Sequence, residues 1–203
     1  AKLVLLDNRL QVNAAVYRIN WQDIPLAISP GKLPSQPAQT CFLATVANAG
    51  EARSQGFEIE ATYQVSQGLR ISLGGAYTNA ELTEIATGVP FSKGDRLPNS
   101  PEYNANLGLQ YEFELGGYIS YVRGNYAYVS DFFGVAGTKS GPEAGDYSQL
   151  NMNAGITLDK FNIEFFAHNL TNSDDLTHAG RLGLDKAYRL RPRSIGLNLG
   201  YQF

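Results

Sequence analysis

Cysteine, tryptophan and methionine each occur once in the 203 residues, and histidine twice. A single cysteine cannot close an internal disulfide, so a stapled mini-scaffold is excluded. Charge is also sparse: 17% of residues, with a net charge of −3 and no basic stripe. Nucleic acid is therefore not an expected partner. A disordered chain would carry more charge and fewer aromatics than the 11% found here. Long apolar runs are missing too. A membrane-spanning helix needs about 18 or more consecutive apolar residues, and stretches such as residues 3–6 stop after a few. No charged segment followed by an apolar one opens the chain, so no signal peptide is visible. A soluble globular domain and a membrane β-barrel both remain. Barrel strands place apolar residues only at alternate positions and so leave no long run. Length alone predicts one domain.

What the chain does have is a period of two. Phe57, Ile59, Ala61, Tyr63 and Val65 alternate with Glu58, Glu60, Thr62 and Gln64. That is a strand with one apolar and one polar face. The same pattern recurs over residues 69–78, 103–113, 118–129, 150–158, 161–167 and 194–203. An earlier strand starts at Leu10 and loses its clear alternation near Trp21. The reading is eight strands and no helix. Short connections (66–68, 114–117, 159–160) alternate with long ones (24–45, 84–99, 131–146, 172–187). Tight turns therefore collect at one end of the strands and large loops at the other, as in outer-membrane barrels.

The polar faces carry Asn, Gln, Gly, Ser and Thr with few Lys. A solvated sheet face is usually richer in Lys and Glu, whereas a watery lumen accepts small neutral groups. Aromatics gather near strand ends, as interfacial girdles do. A strand tilted by about 45° climbs roughly 2.3 Å per residue. From Phe203 at the rim, Ile195 lies at about 18 Å and Arg193, Arg191 and Arg189 at about 23, 28 and 32 Å. The arginines thus begin where an apolar band of about 25 Å ends. Two readings stand for them: a solvated strand end with salt bridges, or bidentate contact with outer-leaflet lipid phosphates.

Four segments carry a family resemblance. They are Asn48-Ala49-Gly50 leading to Gly56-Phe57-Glu58-Ile59-Glu60, the loop Leu97-Pro98-Asn99-Ser100-Pro101, the segment Asn169-Leu170-Thr171-Asn172, and Arg191-Pro192-Arg193 running to the terminal Phe203. In this order the chain resembles the C-terminal part of the barrel of a TonB-dependent outer-membrane receptor. The resemblance implies an all-β, antiparallel, up-and-down transmembrane barrel of 22 strands filled by a plug. Residues 1–203 would then be one portion of that barrel domain, a fragment without plug or TonB-contacting segment. It further implies a non-enzymatic receptor in the outer membrane of a Gram-negative bacterium. Such a receptor takes up a scarce nutrient such as an iron–siderophore complex, with energy from the TonB complex through the plug. The expected partners are that complex, outer-membrane lipid, the barrel-assembly machinery and an unidentified ligand met by the long loops. Ile195, Leu197, Leu199, Tyr201 and Phe203 resemble the assembly signal of such barrels, an aromatic-ended edge strand able to pair with another sheet edge.

Two other readings are weighed: a self-contained eight-stranded outer-membrane barrel with a structural or adhesive role, and a soluble β-barrel binding protein. No cofactor, metal or catalytic site is expected. His168 and His178 with Asp174, Asp175 and Asp185 lack convergent ligand spacing. No Gly-x-Ser-x-Gly motif is present. Glu58 and Glu60 share a strand face and read as lumen lining. The Asn169-Leu170-Thr171 sequon is expected to be accidental. Cys41, in the Pro-rich loop with Pro25, Pro30, Pro34 and Pro37, is either a free thiol or paired outside this chain.

Overall fold

A computed structural model describes residues 1–28, 45–136, 143–178 and 187–203. Cys41, Pro30, Pro34, Pro37 and Asp185 lie outside the described residues. Among the described residues there is no helix, and the strands run in chain order. They are β1 (Lys2–Leu5), β2 (Leu10–Trp21), β3 (Pro25–Ile28), β4 (Thr45–Asn48), β5 (Gly50–Gln64), β6 (Leu69–Ile85), β7 (Tyr103–Leu115) and β8 (Tyr118–Val129). Then follow β9 (Phe132–Phe133), β10 (Glu143–Ala144), β11 (Tyr147–Leu158), β12 (Phe161–His168), β13 (Leu176–His178), β14 (Tyr188–Arg189) and β15 (Ser194–Tyr201).

The main sheet has nine strands in the order β1-β2-β5-β6-β7-β8-β11-β12-β15. Every pairing in it is antiparallel between strands successive in the sheet, which is the up-and-down topology read from the sequence. The count of eight is corrected to nine. The missed strand is β1, whose Leu3, Val4 and Leu5 run without alternation. Its turn is built by Leu6, Asp7 and Asn8, all at positive φ, and offers no Gly or Pro to mark it. The sheet is open, with β1 and β15 as its edges. A self-contained closed barrel of eight strands is therefore not what this chain forms.

Tracing one row of partners reveals a stagger. Ile195 pairs with Ala167, Ala167 with Met152, Met152 with Gly124, and Gly124 with Leu109. The row continues through Ile71 and Tyr63 to Leu10. It enters at the loop end of β15 and leaves at the turn end of β2. A wall of tilted strands with barrel shear has this drift.

The row also defines one face. Ile195, Leu197 and Leu199 on β15, Phe165 on β12, Leu107 and Leu109 on β7, Leu73 on β6 and Ile59 and Phe57 on β5 all stand on it, and all are exposed. A soluble monomer rarely shows so continuous an apolar surface. Against lipid it is the favoured arrangement. Aromatics bound the band. Near the turns Tyr111 stacks on Phe113 at 5.3 Å, and Phe161 meets Tyr201 tilted at 4.9 Å. The run Phe57–Tyr77–Tyr103, at 5.9 and 5.1 Å, climbs to the loop end. Tyr103 and Phe113 are ten residues apart on β7, about 23 Å along the normal of a membrane. That height matches the apolar band of an outer-membrane barrel.

Candidate functional site at the loop-bearing rim

The opposite face is polar. Glu58 and Glu60 of β5, Asn104, Asn106 and Gln110 of β7 and Arg123 and Asn125 of β8 point to it. Tyr121 reaches across Gly155 to donate its hydroxyl to Glu164 Oε2 at 2.6 Å, and Asn198 Nδ2 donates to Glu164 Oε1 at 3.1 Å. A Cβ on Gly155 would lie 2.6 Å from the Tyr121 ring, so only glycine leaves that path open. The Arg123 guanidinium sits 4.3 Å from the same ring centroid. This belt of hydrogen bonds ties β8, β11, β12 and β15 together on the side away from lipid.

Towards the loops the strands outrun the membrane. β6, with 17 residues, is longer than a span of about 9–11 residues requires. Its outer end binds the loop 86–102. Leu82 N donates to Asp95 O and Leu97 N to Ala80 O, both at 2.9 Å. The β3–β4 hairpin adds Ile24 and Leu26 to a small core with Ala49, Ala52, Leu82 and Ala136, against which Ile85, Phe91 and Leu97 pack. Phe132 and Ala144, from the β9–β10 hairpin, make a second core with Val129 and Leu176.

Arg96 joins the loops. Its guanidinium donates to Asp131 Oδ2 at 2.7 Å and to the Asp131 carbonyl at 2.8 Å. It also lies 5.6 Å from the Phe133 ring centroid. The side chain is 23% exposed. Arg96→Ala is expected to loosen the 86–102 loop by about 2 kcal/mol, since the Asp131 carboxylate and carbonyl lose a charged donor. Limited proteolysis of the folded receptor checks this: new cleavage should appear in that loop while the barrel stays intact.

Asn169 fastens the next rim. It is 1% exposed. Its Nδ2 donates to the carbonyls of Ser173 and Arg191 at 2.7 and 2.8 Å, and its Oδ1 accepts from Ser173 N at 3.0 Å. Asn172 Oδ1 accepts from Arg193 N at 3.0 Å. Asn169 and Asn172 both adopt positive φ, which asparagine tolerates better than most residues. The sequon asparagine is thus a buried knot whose amide is fully used.

Between the β9–β10 and β13–β14 hairpins lies a cavity of about 450 Å³ lined by Asp131, Glu143, Asp146, Asp175, Leu176 and Arg189. Asp131 is held by Arg96, Asp146 accepts from the Tyr128 hydroxyl at 3.1 Å, and Asp175 accepts from the Ser173 hydroxyl. Arg189 donates to the Asp174 carbonyl at 2.6 Å. His168 lies against Phe166 and His178 against Tyr188. Among the described residues no cluster of His, Cys, Asp or Glu has the geometry to hold a metal.

The sequence reading placed ligand contact in the long loops and did not single out two large apolar residues at the loop end of β2. Parity carried along β2 from Gln11 and Asn13 puts Ile19 and Trp21 on the polar face at its loop end. Both large side chains are half exposed there, 57% and 52%. Counting on by two from Gln11 would have revealed them. The five residues read as an assembly signal sit on the β15 edge with exposed side chains, and Phe203 extends beyond the strand. Arg193 N is held by Asn172 and the Arg191 carbonyl by Asn169, while Arg189 turns into the cavity.

A tilted wall with a lipid-facing apolar band, a polar inner face and built loops at one rim defines an outer-membrane β-barrel wall. Residues 1–172 match the family of TonB-dependent receptor-like β-barrels. The chain belongs to that family, and its place is the outer membrane. Among curated relatives, the metal-pseudopaline receptor CntO of Pseudomonas aeruginosa is 33% identical over 115 residues, covering 57% of this chain and 14% of that protein. The probable TonB-dependent siderophore receptor PiuA of Acinetobacter baumannii is 29% identical over 115 residues, covering 53% of this chain and 14% of that protein. In the crystal structure of PiuA, the similar region covers 98% of this chain and 27% of that chain, with 25% identity and a TM-score of 0.74. The ferric yersiniabactin uptake receptor FyuA of Yersinia pestis shares the fold, with 19% identity, a TM-score of 0.76, and coverage of 98% of this chain and 28% of that one. The chain therefore spans about a seventh of the curated relatives it matches.

Proposed function

We propose that the receptor containing this chain imports a scarce metal chelate, such as an iron–siderophore complex, across the outer membrane with energy from the TonB complex. The observation that carries this reading is the family match over residues 1–172, together with relatives named as receptors for metal-pseudopaline and siderophores. This chain contributes lipid-facing wall, polar lumen lining and outer loops. Trp21 and Ile19, apolar and uncovered beside the loop core, are the ligand-facing residues we single out. The β15 edge, with Ile195, Leu197, Leu199, Tyr201 and Phe203, is offered to the barrel-assembly machinery as a template for strand pairing.

Trp21→Ala in the full-length receptor is expected to cut uptake about tenfold, the scale of a buried aromatic anchor at an interface. Uptake of labelled ferric siderophores under iron limitation measures it, with a strain lacking TonB as baseline. Wild-type uptake that persists without TonB would overturn the transport reading.

A further inference from the structure

We infer that Arg70 and Arg123 form an inner anion subsite on the lumen wall, which takes a negatively charged oxygen group of the imported chelate below the loops; the cargo rests on the transport reading above. The two arginines stand in one row of the polar face. Arg70 pairs with Gln110, and Gln110 with Arg123. Two strand spacings, about 10 Å, separate their backbones. The next row is Ser72, Gly108 and Asn125. All six line a cavity of about 90 Å³. That volume accepts an oxyanion group with a few waters and falls below the roughly 300 Å³ of a pocket for a whole ligand. Glycine gives the cavity its floor. A Cβ on Gly108 would run into the Ser72 hydroxyl and lie 3.3 Å from Asn125 Oδ1. The Ser72 hydroxyl and the Asn125 amide, two neutral donors, have no hydrogen-bond partner among the described residues.

Among the described residues neither arginine makes an ion pair. Arg70 Nε donates to Gln64 Oε1 at 3.0 Å, and its terminal nitrogens stay free. Arg123 lies over the Tyr121 ring at 4.3 Å, a contact that leaves its in-plane N–H donors available. The carboxylates around them are engaged elsewhere. Glu112 accepts from Gln110 Nε2 at 2.6 Å, and Glu164 accepts from Tyr121 and Asn198. Two planar, permanently charged donors beside two neutral ones suit a carboxylate or similar oxyanion. The face away from lipid excludes a membrane headgroup as occupant. Gln110 lies seven residues from Tyr103 on β7, about 16 Å towards the turns. The subsite is therefore distinct from the loop-bearing rim, and an anionic cargo that has left the rim meets it next.

Two measurements on the full-length receptor test this. Crystals soaked in millimolar tungstate, a heavy oxyanion, should show an anomalous peak between Arg70 and Arg123, and the Arg70→Gln, Arg123→Gln double variant should lose it. Cells carrying that variant should bind labelled anionic ferric siderophore as tightly as wild type but import it about tenfold more slowly. The double lysine variant keeps charge without the planar fork and should fall between. Folding of each variant is read from heat-modified gel migration. Absence of the tungstate peak in wild type would overturn the proposal. So would unchanged import by the folded glutamine variant, which would make the tungstate an adventitious ion only. Surface affinity falling in step with import would overturn it as well, by moving the effect to the rim. A wild type that imports no ferric siderophore fails the transport reading first, whatever the tungstate shows.

Discussion

Leu107→Arg is expected to destabilise the folded barrel by about 2–4 kcal/mol, while Asn106→Arg, one residue away, should cost under about 1 kcal/mol. Leu107 lies near the midpoint between Tyr103 and Phe113, pairs with Leu73 and Tyr126, and is exposed on the apolar face. At that depth a guanidinium must desolvate in hydrocarbon or drag water and headgroups inward. Asn106 shares the polar face with Gly74 and Ala127 as its partners, so an arginine there meets a watery lumen. Urea unfolding of the refolded full-length receptor in phospholipid vesicles separates the two. The reverse order of costs would mean that the apolar face is the interior of a water-soluble protein.

The second large effect is Asn169→Ala, expected to cost about 3 kcal/mol. The substitution removes the donor and acceptor that hold the partly buried carbonyls of Ser173 and Arg191 and the Ser173 amide. Three hydrogen bonds at about 1 kcal/mol each make up that cost. It also puts alanine at a φ of 50°, which asparagine accepts more readily. The damage should concentrate where β12 leaves for β15. Amide hydrogen exchange should therefore quicken over residues 169–178 and 187–193, with little change in β5 and β6. An exchange pattern indistinguishable from wild type would show that the knot does not hold the rim.

The period-two pattern read from the sequence carries the main strands because a pleated backbone alternates its side chains whatever surrounds it. Residues 103–113 are legible for that reason, and β7 spans Tyr103–Leu115. β1 is not legible, because a four-residue apolar run has no period and its turn rests on positive φ at Leu6, Asp7 and Asn8. The β3–β4, β9–β10 and β13–β14 pairings are short, two to four residues a strand, and each packs on one of the small cores beneath it. Asn169 reads as a sequon or a family motif, yet its burial and its hold on Arg191, 22 residues on, depend on two distant segments meeting.

The sequence by itself determined the two faces of the clearly alternating strands, the main loops and turns between them, and that the chain resembles one receptor family. Those are local properties, set by alternation and by short motifs. Only the tertiary structure decided the ninth strand, the open edges, the aim of Arg189 into the acidic cavity and the hold of Asn169 and Asn172 on the backbone of Arg191 and Arg193. Each of these rests on hydrogen bonds or packing between segments far apart in the chain, and local periodicity carries no record of such contacts.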